Sequence, residues 1–288
     1  MKVNTLTLES AGFPEALKTI PTAPKKLYAA GASLTELLAR PCVTIVGSRK
    51  VSSYGRAVTV KLASDLARAG VVIVSGLAIG VDALAHQAAL EAGGLTIAVL
   101  PGGLDSIYPA SHNQLAARIL GQGGALLTEY PPGTRTYPIN FIARNRIASG
   151  LSSAVLITEA AEKSGTLHTA RFALEQGKDV LAVPGNITSP TSVGTNNLIK
   201  AGAMPVTETA DIFHILGIKV PALTSRNTPK GDTPHEQTIL NLLVAGVDDG
   251  GELLRQSNLE VAQFNQTLTM LEITGKIRSL GANKWSLH

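Results

Sequence analysis

Six short apolar runs punctuate this chain, at residues 43–46, 71–74, 95–100, 125–128, 154–157 and 180–183. Each is bounded by Gly, Ser or Pro, and none alternates strictly with polar residues. Strands buried on both faces read this way, because neither side of the pleat meets water. Between the runs lie helical patterns at residues 54–69, 83–92, 113–120 and 167–176, the first with Val58, Leu62 and Leu66 on one face. Strand and helix in repeated alternation predict an α/β fold: a Rossmann-like, open, mostly parallel sheet with helices on both faces. Ligands of such sheets sit outside the carboxyl ends of the strands, so the loops after the runs are where function is sought.

Those loops collect glycines, hydroxyls and cations. Gly47-Ser48-Arg49 follows the first run. It lacks the glycine spacing and the later acidic group of a dinucleotide fingerprint, and an arginine in the turn suits a phosphate better than a ribose. Phe141-Ile142-Ala143-Arg144-Asn145-Arg146 reads as a second cationic loop. Glu159-Ala160-Ala161-Glu162-Lys163-Ser164-Gly165-Thr166 reads as a third, ahead of a helix start. Free backbone N–H groups at a helix N-terminus favour anions. Taken singly, each loop also reads as a surface turn with solvated charges; the three together point to a phosphate.

Other residues admit plainer readings. Ser75-Gly76-Leu77-Ala78 follows the second run, and Gly76 permits close backbone approach. Asp82 and His86, four apart on one helix, form either an acid–base dyad or, more ordinarily, an N-cap and a hydrogen-bonded histidine. Asp105, in Pro101-Gly102-Gly103-Leu104-Asp105, reads as a turn former. Glu129 and Glu159 lie on separate loops and do not make a catalytic pair. Cys42, the single cysteine, opens an apolar run and reads as a buried structural thiol. There is no Walker motif, zinc spacing or nucleophile elbow, so no metal, no cofactor and no catalytic residue is expected. The loops hold a phosphate without an evident means of cleaving one.

The whole chain of 288 residues is 44% hydrophobic with a formal charge of +4, which permits a polyanionic partner without requiring one. Aromatic residues make up 4%, which argues against a base-stacking platform. No signal-peptide pattern or membrane-length apolar run is present, and a cytoplasmic protein is expected. Four segments are expected: an N-terminal extension at 1–40, a Rossmann-like domain at 41–216, a linker at 217–232 and a small unit at 233–288. Within the extension, residues 14–20 read as a short helix and 25–30 as extended. The small unit reads as three helices and a hairpin, a winged helix-turn-helix turning at Gly281-Ala282-Asn283. Its four basic and six acidic side chains give a net charge of −2, which favours protein contact over duplex DNA.

These motifs resemble the DNA-processing protein A family, known as DprA or Smf. The resemblance rests on Gly47-Ser48-Arg49, Ser75-Gly76-Leu77-Ala78, Asp82 to His86, Pro101-Gly102-Gly103-Leu104-Asp105, Tyr108-Pro109, Arg144-Asn145-Arg146, Gly150-Leu151-Ser152 and Glu159-Ala160. It continues through Ser164-Gly165-Thr166, Ala182-Val183-Pro184-Gly185 and Gly194-Thr195-Asn196-Asn197-Leu198-Ile199, and so covers about residues 20–215. It implies a homodimeric, non-catalytic protein of bacterial natural transformation. Such a protein binds and protects incoming single-stranded DNA and helps load RecA recombinase. Carried over residue by residue, the DNA-binding set is Ser48, Arg49, Gly76, Arg144, Asn145, Arg146, Lys163, Ser164, Gly165 and Asn197. The chain departs from the family in its short N-terminal part. It also departs at Ile142-Ala143, where many members have a proline whose loss predicts a looser loop. The first alternative is a nucleotide-processing enzyme of the phosphoribohydrolase type, although Leu104-Asp105-Ser106 replaces the Gly-Thr that follows the Pro-Gly-Gly loop there. The second is a nucleotide-sensing module.

Overall fold

The computed structural model describes residues 2–218, 230–281 and 283–287. Two compact units divide the chain near residue 220. In the first, nine strands form one sheet: β1 (Asn4–Thr7), β2 (Lys26–Gly31), β3 (Cys42–Val46), β4 (Val72–Ser75), β5 (Thr96–Val99), β6 (Ala125–Thr128), β7 (Ala154–Ile157), β8 (Asp179–Ala182) and β9 (Met204–Pro205). Their order is β1-β2-β6-β5-β4-β3-β7-β8-β9. All pairs from β6 to β9 are parallel, while β1 and β2 attach antiparallel at one edge.

Each of the six apolar runs is a strand, and the four helical patterns are α3 (Ser53–Arg68), α4 (Val81–Glu91), α5 (Asn113–Gly121) and α7 (Leu167–Glu175). Residues 1–40 add β1, β2, α1 (Glu15–Lys18) and α2 (Leu34–Leu38) to this same unit. Hydrogen bonding to β6 gives that short segment a partner sheet, so it needs no core of its own. Its Phe13, Leu17 and Leu37 bury against Val72, Val74 and Ile97.

Successive strand residues point to opposite faces, and the core divides accordingly. Ile73 packs with Leu62 and Leu66 of α3 and Ala85 of α4. Val72 and Val74 pack on the other face with Leu17 and Ile147. Burying a leucine as fully as Leu66 contributes about 1.5–3 kcal/mol. Ser52 caps α3 by accepting the Gly55 N–H at 3.0 Å.

The segment read as a second loop is instead a helix, α6 (Pro138–Gly150). Pro138 stands at its first turn, where a missing N–H costs nothing and the fixed φ suits the helix. Ile147 and Ala148 then bury against the sheet. Ile142-Ala143 therefore continues a helix and loosens no loop. Two further helices follow β8, α8 (Val193–Lys200) and α9 (Thr209–Ile215), and Phe213 of α9 is wholly buried.

The second unit holds α10 (Pro234–Val244), α11 (Gly250–Ser257) and α12 (Val261–Ile273), then an antiparallel hairpin of β10 (Ile277–Gly281) and β11 (Lys284–Leu287). Ile239, Leu240, Leu253, Phe264 and Leu271 form its core. This is a winged helix, with Gly281 (φ 83°) and Asn283 (φ 59°) flanking the hairpin turn. Ala282 in that turn and residues 219–229 of the expected linker lie outside the described residues.

Candidate nucleic-acid interface

From β3 the chain winds through β4, β5 and β6 in one direction, then returns through β7, β8 and β9 in the other. The reversal lies between the adjacent parallel strands β3 and β7, where the loops leaving both strands diverge and open a crevice. A cleft of about 680 Å³ occupies that place, lined by residues of the loops after β3 and β7, by Asp82 and by α6.

The two loops are stitched together. Ser48 N–H donates to Glu159 O at 2.8 Å, and Thr166 Oγ1 donates to Gly47 O at 2.9 Å. The Glu159 side chain, 2% exposed, accepts the Ser52 N–H at 2.9 Å just before α3 begins. Both loops also use a serine as internal brace. Ser48 Oγ accepts the Lys50 N–H at 3.1 Å, and Ser164 Oγ accepts the Thr166 N–H at 3.3 Å. These hydroxyls shape the turns that carry the cleft's backbone. Immediately after Ser164-Gly165-Thr166, α7 begins, so its positive dipole end meets the cleft.

Six of the ten anticipated binding residues line this one cleft: Ser48, Arg49, Arg144, Asn145, Ser164 and Gly165. Arg49 is exposed and lies over the Phe141 ring at 4.9 Å, a cation–π contact. Lys50, which the motifs did not single out, stands beside it, exposed. Arg144 is the floor. It is 4% exposed, and its guanidinium donates to Val99 O. Burial brings its pKa down to about 10, with nearby Asp82 opposing that shift and Arg49 adding to it.

Gly76 does not line the cleft; it makes room beneath it. A Cβ there would overlap the Arg144 guanidinium. Its N–H, with that of Ala78, donates to Asp82 Oδ2 at 3.1 and 3.4 Å. Asp82 thus braces the loop from inside α4, and the N-cap is Gly80 at φ 86°. Burial raises the Asp82 pKa, while Arg144 and those two N–H groups hold it down. His86 is wholly buried and its Nδ1 lies 2.6 Å from Thr96 Oγ1. Burial is the largest cause that drives its pKa down to about 3, so at neutral pH it is an uncharged core histidine.

The other three anticipated residues stand elsewhere. Arg146 pairs with Glu129, both largely buried. It also anchors α6, because its carbonyl accepts Gln176 Nε2 at 2.9 Å. Lys163 is exposed on the loop before Ser164, and Asn197 lies on α8 in a separate hollow with Pro184 and Lys200. Cys42 is buried, and burial pushes its thiol up to about 12.

Sequence reasoning passed over the cleft's apolar wall. Tyr108 and Phe141 line it and meet edge to face at 5.5 Å. Both stand inside quoted motifs, but an average of 4% aromatics says nothing of where the rings gather.

In the second unit, the basic side chains are largely occupied. Lys276 pairs with Asp232 and Glu236, Lys284 with Asp248, and Arg255 with Glu252. No lysine or arginine lies on α12, the third helix.

Known proteins share this sequence and this fold. The chain is 51% identical over 174 residues to protein Smf of Escherichia coli, which covers 60% of this chain and 46% of that protein, so it spans about half of that relative's length. It is 42% identical over 214 residues to the DNA processing protein DprA of Bacillus subtilis, which covers 74% and 71% of the two chains. Among solved structures, DNA processing protein A of Streptococcus pneumoniae superposes with a TM-score of 0.69 at 40% identity, over 74% of each chain. That of Helicobacter pylori, described for its single-stranded DNA binding mode, superposes with a TM-score of 0.66 at 35% identity, over 75% of this chain and 95% of that one. A DprA winged helix domain is matched at residues 224–283. Residues 4–217 match the DNA recombination-mediator protein A family along the whole sheet that builds the cleft, and the chain belongs to that family.

Proposed function

We propose that this protein binds single-stranded DNA in the cleft between the β3 and β7 loops. There it shields the strand and presents it for recombination, without cutting it. The observation that carries this reading is the lining: exposed Arg49 and Lys50, buried Arg144 and the N-terminus of α7 face one hollow that also has an aromatic wall. Cations and helix amides suit phosphates, and rings suit the unstacked bases that a single strand offers and a duplex conceals. Asn145 and the Gly165 backbone complete the polar rim. Arg144 acts as a fixed floor cation, held by Val99 O and spaced by Gly76, and Arg146 acts by seating α6. The finer role is that of the family resemblance: protection of incoming strands during natural transformation, delivery to RecA recombinase, action as a homodimer, and residence in the cytoplasm. Among the described residues, no helix is long and apolar enough to cross a membrane.

The test compares single- and double-stranded oligonucleotides by fluorescence anisotropy across salt. Single strands are expected to bind more tightly, with a log–log salt slope of about −0.7 per phosphate neutralised. Arg49→Ala is expected to weaken every sequence alike and to flatten that slope by nearly one contact. Unchanged binding by Arg49→Ala would place the strand elsewhere.

A further inference from the structure

The cleft continues outward along one lip of α6. Tyr108 is 51% exposed, Tyr137 57%, Ile139 73% and Ile142 39%. Ile139 precedes Ile142 by three residues and Tyr137 precedes Phe141 by four, the spacings at which helix side chains are neighbours, so each adjoins a residue of the cleft wall. Exposed apolar side chains so grouped mark a contact surface. Tyr108 and Phe141 meet here, and Tyr137 stands four residues before Phe141 at the start of α6.

A motif that the cleft itself leaves without a task holds this strip in place. Gly103 N–H donates to Thr134 O at 3.1 Å, Gly133 N–H donates to Asp105 Oδ1 at 2.9 Å, and Asn140 Nδ2 donates to Pro101 O at 2.9 Å. A Cβ on Gly102 would approach Thr136 Oγ1 to 2.5 Å, and one on Gly103 would approach Pro131 O to 2.8 Å. The paired glycines therefore let residues 131–136 lie directly on the loop after β5. The exposed side chains that follow stand on a clamped backbone, which lowers the entropy lost when something docks on them.

We propose that Tyr137 and Ile139 form a base-contacting strip, the ring by stacking and the isoleucine by apolar contact, that extends the strand-binding surface beyond the cleft, with exposed Arg135 beside them in sequence for the backbone. This rests on the reading of the cleft as a grip on single-stranded DNA. Two features choose the occupant. Pro138, Phe141 and Ile142 line the cleft, so the strip is continuous with it. Arg135 makes no ion pair among the described residues, and Arg49 and Lys50 stand at the adjoining cleft. A second copy of this chain seated here would bring like charges together, whereas a strand neutralises them and lays its bases on the apolar lip.

The experiment measures full-length protein binding to oligothymidylates of about four and about twenty nucleotides, one short enough for the cleft alone and one long enough to run past it. Tyr137→Ala with Ile139→Ala is expected to raise Kd for the longer strand about ten-fold or more, and to leave the shorter strand unchanged. Both side chains are exposed, so their loss leaves the core intact. In a second variant, Tyr137→Trp, the added emission is expected to be quenched as the longer strand stacks on it. The proposal is overturned if the double variant binds the longer strand as wild type does while Arg49→Ala does not. It is equally overturned if light scattering shows that the double variant changes self-association and not binding. If Arg49→Ala also binds normally, the cleft reading fails first.

Discussion

Arg144 sits where three constraints meet. It must be cationic to face a phosphate, buried to form a floor, and accommodated without displacing the loop after β4. Val99 O and the nearby Asp82 carboxylate meet the first two demands, and the bare backbone of Gly76 meets the third. A buried guanidinium without such partners would be strongly destabilising. The pairing makes a testable coupling. Gly76→Ala is expected to lower stability by about 1–3 kcal/mol through overpacking, and to weaken single-strand binding by displacing the guanidinium. In an Arg144→Ala background the same glycine substitution should cost far less, because the space is then free. Urea unfolding of the four proteins gives the coupling energy, and additive losses would mean that Gly76 and Arg144 act independently. The motif could supply both residues, but it could not reveal that one exists to seat the other. Their contact links positions 76 and 144, and nothing in either local pattern encodes it.

At the level of elements, the sheet was legible because each buried strand is a run bounded by breakers, and α3, α5 and α7 show clear helical periods. The helix α6 was not legible. Its cations and its Asn-Arg pair resemble a loop, and its amphipathicity is weak because one face carries Arg144 and Asn140 into a polar floor. Strand β1 escaped because a four-residue edge strand, Asn-Thr-Leu-Thr, has almost no apolar signal. The Asp82 cap was misplaced for a related reason: the acid is the second residue of α4, two past the Gly80 cap, and reaches back to the loop. That helix also carries a pH liability. His86 has a folded pKa near 3 against an ordinary 6.5, so the unfolded chain binds a proton in that window and the folded chain does not. Stability is therefore fully present above about 6.5 and is lost as pH falls toward 3. Asp82, whose pKa is raised, works in the opposite sense above its ordinary 3.8, where the folded state binds the extra proton. The histidine's own part, between its ordinary 6.5 and about 3, is isolated by substituting it. Urea midpoints are expected to fall across that range in the wild type and to flatten in His86→Asn. An equally steep fall in the variant would assign the loss to other groups.

Across the whole molecule, charge is divided unevenly between the two units. The winged helix has net −2 over residues 233–288 within a chain of +4, so the strand-binding charge belongs to the first unit. A winged helix that reads duplex DNA inserts its third helix into a groove against phosphates, and counterion release then supplies much of the affinity. Here α12 carries no cation, and its exposed Gln263, Asn265, Gln266 and Thr269 are neutral. Among the four basic side chains of residues 233–288, Arg278 alone makes no ion pair among the described residues; its Nε donates to Ser286 Oγ at 3.1 Å. Surface pairs of this kind add little stability, but each sets a carboxylate against the cation and so opposes the approach of a phosphate. The fold name and the electrostatics thus point in different directions, and the electrostatics decide affinity. A chain ending near residue 218 keeps the sheet and the complete cleft lining. It is expected to bind single strands within about two-fold of full length, with an unchanged salt slope. The full chain is expected to gain no duplex affinity over the shortened one at about 0.15 M salt. Anisotropy titrations of both proteins against matched single- and double-stranded oligonucleotides read both quantities. A duplex affinity that appears only when residues 219–288 are present, and that falls steeply with salt, would mean that the winged helix finds its cations in an arrangement the ion pairs now conceal.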